Sequence, residues 1–261
     1  MEFATQVVAT IVVSLPAMAA ARRVPQGPAP DPAVQKLRVR YAKRGRMRFT
    51  SSRDFQRALE RALRLAGVPM AYSAGFHPHP KISYANAAPT GVASEAEYVE
   101  LSVTQEVDPS VVRSELGAAL PDGLEIVDVQ VAAAGALADR LVASRWQLTF
   151  PDTSVAQVQA AVDDFLARDR VEVTRMMKQG PRQIDVREPL LRAEVTGPTG
   201  PDTPGAAVLL LTVRHTTPTV RPAELWTALQ EVSGLVLPRP ASTRLAQGPV
   251  GEGAEVLDPL A

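Results

Sequence analysis

Apolar and basic residues alternate from Leu37 to Tyr41 and again over Arg46-Met47-Arg48-Phe49, placing Leu37, Val39, Tyr41, Met47 and Phe49 on one side and cations on the other. This period of two predicts strands, bent or paired around Lys43-Arg44-Gly45. Ser51 and Ser52 then offer a helix cap with Asp54 in the first turn, and the period lengthens. Phe55, Leu59, Ala62 and Ala66 share one helical face, Arg57, Arg61 and Arg64 another, and Gly67-Val68-Pro69 stops the helix. A strand near 81–88, a turn at Pro89-Thr90-Gly91, the alternating strand 97–103, a helix capped by Asp108 and ended at Leu120-Pro121, and a strand over 123–131 complete a βαββαβ order.

A shift to small residues over 132–140 marks a linker, after which the pattern restarts. A strand over 145–150, a helix over 152–169 and a strand over 171–177 precede a hairpin of 189–195 with 206–215 around a Gly/Pro-rich turn. A helix from Pro222 to about Val232 follows, and the stretch 235–240 begins a last strand. The expectation is an α+β fold of two tandem ferredoxin-like domains, 36–132 and 143–246, the second with an extra short strand at 184–186. Residues 247–261 read as a flexible tail.

Residues 1–35 stand apart. Their apolar stretch ends in Ala17-Met18-Ala19, like a signal-peptide core, but Glu2 precedes it and no cation does. Pro16 interrupts it short of the roughly 20 apolar residues a membrane span needs. A translation start near Met18 and a disordered Pro-rich tail explain the segment better than secretion, and the expected location is the cytoplasm.

The absence of cysteine removes disulfides, thiolate nucleophiles, thiolate zinc sites and iron–sulfur ligation. Net charge is zero, so attraction to a polyanion has to come from local clustering. Such clustering exists. Eleven lysines and arginines lie between Lys36 and Arg64 against Asp54 and Glu60, and nine acids lie between Glu95 and Asp128 against Arg113. If the first and third strands are neighbours, Glu97 and Glu100 neutralise part of the basic strand. The turn Lys43, Arg44, Arg46, Arg48 and the helix residues Arg53, Arg57, Arg61 remain as a surface for phosphate, each cation releasing condensed counterions, or as an ordinary solvated face.

The loop Gly75-Phe76-His77-Pro78-His79-Pro80-Lys81 joins the arginine-bearing helix to the second strand. Prolines bias His77 and His79 toward extended backbone. Three uses are open: stacking of Phe76, His77 and His79 on a base, with Lys81 taking phosphate; metal binding completed by Glu95 or Glu97; or a stiff turn with Phe76 in the core. Farther on, Lys178, Arg182 and Arg187 extend a cationic groove, or Asp185 pairs one of them.

The segment 41–101, with its arginine-rich helix, the SAGFHPHPK loop and the GVASEAEY strand, resembles the opening of the radical-SAM-linked protein family, a bacterial domain of unknown function. MMKQGPRQIDVREPL in the second half is similar to that family's K-G-x-x-x-x-I-D-V/L-R element. The resemblance implies a module that follows a radical SAM domain or stands alone, often encoded near an RNase E/G gene. Where the family commonly carries a histidine before the helix, this chain has Ser52. Without cysteine the chain cannot hold a radical SAM cluster and is the partner module.

The reading is an accessory protein that binds RNA, or a radical SAM or RNase E/G-type partner, through its basic face, with no cofactor, metal or membrane. The alternatives are an enzyme acting on a nucleotide or phosphorylated small molecule, and a pure protein-interaction module. No nucleophile elbow or phosphate-cradling glycine loop favours the enzyme.

Overall fold

The computed structural model describes residues 30–197 and 205–261. The N-terminal stretch with its leader-like and late-start readings lies outside them, as do residues 198–204 of the Gly/Pro-rich turn. Among these residues the fold is mixed, with a large sheet and five α-helices. In the first half β1 (Gln35–Lys43), α1 (Ser52–Leu65), β2 (Ile82–Ala85), β3 (Ala93–Val103), α2 (Pro109–Ala119) and β4 (Leu124–Val131) follow one another. A four-residue helix, α3 (Leu137–Arg140), sits in the linker. The second half runs β5 (Ala143–Phe150), α4 (Val155–Leu166), β6 (Glu172–Met177), β7 (Gly180–Asp185), β8 (Leu190–Thr196), β9 (Ala207–Arg214), α5 (Pro222–Ser233) and β10 (Ala241–Gly248).

Both halves share one eight-stranded sheet in the order β4-β1-β3-β10-β5-β9-β8, with β2 also on β3. The seam between them is short. β10 runs parallel to β3 through only two residue pairs, Thr243 with Ala93 and Arg244 with Ser94, while β2 pairs with the other end of the same edge at residues 98–101. Alternation sends Leu37, Val39 and Tyr41 of β1 and Val99, Leu101 and Val103 of β3 against Phe55, Leu59 and Leu63 of α1 and Val112 and Leu116 of α2. In the second half Trp146, Leu148 and Phe150 of β5 pack with Val158, Val162 and Phe165 of α4 and Leu225 and Leu229 of α5.

Helix boundaries follow their capping chemistry. The Ser51 hydroxyl accepts from Asp54 N at 3.2 Å, Asp108 accepts from Ser110 N at 2.8 Å, and Ser154 with Gln157 forms a reciprocal capping box.

Four expectations need correction. Gly45–Phe49 is a 3-10 turn, not a strand. Gly123 makes room for it: its φ is +89°, and a Cβ there would lie 2.9 Å from the Arg44 carbonyl oxygen. The last strand begins at Ala241, because Pro238 and Pro240 deprive the preceding stretch of ladder donors. The extra strand in the second half, β7, pairs with β6 as a separate two-stranded ribbon and leaves β8 and β9 to the large sheet. The C-terminal segment expected to be loose from Gln247 is packed: Gln247 is buried and donates to the Ala96 carbonyl at 2.6 Å, and Leu260 joins Ala96, Tyr98, Leu137 and Leu141 on the sheet face opposite α1. Among the described residues no helix is long and apolar enough to cross a membrane.

Candidate functional site

Strand pairing sorts the cations of the first half. β1 lies between β3 and β4, so its basic residues meet the acids of both. Lys36 and Arg38 share Glu100, and the buried Arg38 also donates to the carbonyls of Ala133 and Gly135 in the linker at 3.0 and 2.6 Å. Arg44 is tied to both Glu95 and Glu125. Lys43 is buried, and among the described residues its ammonium makes one long bond, 3.4 Å, to the Ala88 carbonyl. Those two leave the expected phosphate surface: Lys43 because β1 carries it into the interior, Arg44 because two carboxylates neutralise it.

The remaining cations lie outside. Arg46, Arg53, Arg57, Arg61 and Arg64 are exposed, and among the described residues their only ion pair is the loose one of Arg57 with Asp54, 3.9 Å. Arg53, Arg57, Arg61 and Arg64 fall within about 80° of the helix circumference and climb about 6 Å per four residues. Arg48 is half-buried, with its guanidinium 4.7 Å from the centroid of the exposed Phe49 ring.

The histidine loop is closed at its neck. Tyr72 bridges Pro80, Ser73 N donates to the His79 carbonyl at 2.9 Å, and His79 N donates to the Ser73 hydroxyl at 3.0 Å. Its tip carries Phe76, 63% exposed, with His77, His79 and Lys81 also in solvent. Phe76 is therefore not a core residue. Glu95 and Glu97, the carboxylates a metal on this loop would need, are committed to Arg44 and Arg244.

Lys178 and Arg182 are exposed on the β6–β7 ribbon and Arg187 is half-buried at its end. Asp185 holds the ribbon's end through the backbone N–H of Arg187, 2.9 Å, with Arg170 at 3.8 Å. The arginine of this ribbon that faces the gap between the halves is Arg175, opposite Arg182 in register. It is buried, paired with Glu224 of α5 and bonded to the Thr219 carbonyl at 2.7 Å.

A second buried pair stands at the seam. Arg244 of β10 donates through Nη1 to Glu97 at 2.9 Å and to the Asn86 carbonyl at 2.6 Å, and its Cζ lies 4.6 Å over Trp146. The other oxygen of Glu97 accepts from Ala88 N at 2.9 Å. Burial, then the Glu97 charge, raises the Tyr41 phenol far above its ordinary range, and burial raises Tyr98 as well. Tyr84 is pushed up to about 12, chiefly by burial. Burial lowers Lys43, with Glu97 opposing the shift. His215 is lowered by burial; its Nδ1 hydrogen bonds the Leu141 carbonyl at 2.7 Å, and Nε2 lies 2.7 Å from the Ser144 hydroxyl.

Two cavities flank this cluster. One, about 50 Å³, lies between Glu97, Lys43, Tyr41, Tyr84 and the start of α1 at Ser51 and Ser52. The other, about 370 Å³, is bounded by Arg244, Arg175, Arg221, Trp146, His215 and Asn86. Arg175, Arg221 and Arg244 escaped the sequence reading; the available signal was the presence of acids, Glu97 and Glu224, that burial would force to find partners.

No curated protein matches the chain. The model of one family, described as an uncharacterized protein conserved in bacteria (DUF2344), matches residues 36–222, a span that holds the basic helix, the pinned loop, Glu97 and Arg175. The chain belongs to that bacterial family.

Proposed function

We propose that this protein is an RNA-binding accessory module, working in the cytoplasm beside a radical SAM enzyme or RNA-processing machinery. The observation that carries the reading is the arginine strip of α1: after strand pairing has consumed Lys36, Arg38 and Arg44, the exposed Arg53, Arg57, Arg61 and Arg64 remain on one face. Arginine forks match phosphate oxygens, and the exposed Phe76, His77 and His79 supply ring faces on which unpaired bases stack. Single strands suit such a surface better than a duplex, whose bases are already stacked.

The halves are read as two ferredoxin-like units. Support comes from the strand orders β4-β1-β3-β2 and β10-β5-β9-β8, in each of which the first strand of the half lies between its third and fourth once the β6–β7 ribbon is set aside. The radical SAM connection rests on the sequence resemblance, and the cytoplasm on the absence of cysteine.

The test is a salt titration of single-stranded RNA binding by the full chain and by Arg57→Ala/Arg61→Ala. Each lost phosphate contact reduces the slope of log K against log salt by about 0.7. The double variant should bind more weakly with a slope shallower by about 1.4 and an unchanged circular dichroism spectrum. Equal affinity and slope would remove α1 from the interface.

A further inference from the structure

The 370 Å³ cavity between the halves has a chemistry that the RNA-binding face does not use. Among the described residues, three that line it are arginines and none is an acid. Arg244 and Arg175 are each more than nine-tenths buried. Structural roles account for part of them: Arg175 is satisfied by Glu224 and Thr219, and Arg244 joins the halves through Glu97 and Asn86. They do not account for the other terminal nitrogen of Arg244, Nη2, which has no hydrogen-bond partner among the described residues and, unlike Nε, is not fully buried.

Arg221 stands at the same cavity as the residue before α5, exposed and without an ion pair among the described residues. Its backbone N–H is already bonded to Glu224, so the side chain is not needed to start the helix. The rest of the lining divides in two. Asn86, Thr219 and the neutral ring of His215 are polar without charge; Met177, Pro89, Pro218 and Val220 are apolar. The volume falls at the small end of ligand sites, roughly 300–1,000 Å³. A free inorganic anion would leave the apolar part unused, and a neutral ligand would leave the arginines unused.

We propose that this cavity is a binding site for a small organic monophosphate. Its phosphate lies against Arg221 and Arg244, where its terminal oxygens supply an acceptor for Nη2. The organic part lies along Met177, Pro89 and Pro218. Both halves contribute, since Asn86 and Pro89 come from the first and the three arginines from the second. The site is independent of the arginine strip on α1.

The test is calorimetric and thermal-shift titration of the full chain with AMP, ribose 5-phosphate and adenosine at fixed ionic strength. AMP or ribose 5-phosphate should bind saturably, and adenosine should not. Loss of one charge-assisted contact in Arg221→Ala should weaken binding of that phosphate about tenfold or more at an unchanged ligand-free Tm. Arg244→Lys tests the deeper contact. Because that change sits at the seam and can unfold the chain, Arg221→Ala decides the matter alone. Arg57→Ala/Arg61→Ala should keep the phosphate affinity, separating this site from the RNA face. Absence of saturable binding by either phosphate, or affinity unaltered in Arg221→Ala, would overturn the proposal; so would adenosine binding as well as AMP.

Discussion

His215 is held as a neutral ring beside the cavity, and burial keeps its pKa below the ordinary histidine value. The nearby Arg244 charge acts in the same direction. Unfolded, the ring titrates near about 6.5, so on acidification the unfolded chain takes up this proton first. The contribution of His215 to stability is therefore complete above that range and declines as pH falls through it toward the folded value. Tm measured from neutral to mildly acidic pH should drop less steeply in His215→Gln than in the parent; parallel curves would remove His215 as the source. None of this was legible in the sequence, where His215 ends a strand far from the other two histidines. Arg244 was equally hidden. Its contact with Glu97 spans 147 positions, and local patterning says nothing about which of many arginines will meet a given acid.

At the scale of elements, the neck-pinned loop and α1 have different physical signatures. Stacking on Phe76 releases no counterions, whereas each α1 arginine does. Phe76→Ala should therefore lower single-stranded RNA affinity by about 1–3 kcal/mol while the salt slope stays that of the parent. A changed slope, or unchanged affinity, would place the bases elsewhere. Because Phe76 is exposed, Tm should hold. Most elements were readable from the chain, since caps and periodicity are local: Ser51, Asp108 and Ser154 begin the helices that the pattern requires. The failures were local too. Four alternating residues over 46–49 fit a 3-10 turn as well as a strand, and the stretch 235–240 has strand-like leucines but prolines where donors are needed. β10 itself carries Arg244 and Gln247 inward, so its alternation does not read as hydrophobic.

For the whole molecule, the seam is what the sequence could not supply. Two similar element orders predict two separate sheets, yet the edge of β3 is completed by β10 as well as β2. With only two backbone pairs there, the Glu97–Arg244 pair couples the halves together with the Gln247 bond to Ala96 and the packing of Leu260 on Ala96 and Tyr98. Removing one member of a buried pair strands the other charge and costs about 3–5 kcal/mol. Glu97→Ala should accordingly lower stability in both halves, seen as one earlier transition or as two resolved ones by calorimetry; a Tm equal to the parent's would show that the pair contributes nothing. The same seam bears on how such a chain can be assembled by recombination. A joint placed in the linker at 132–142 would pass on the first half without Arg244, baring part of the edge of β3 and leaving Glu97 without its partner, so exchange of one half for another should cost stability unless the incoming half supplies a cation there.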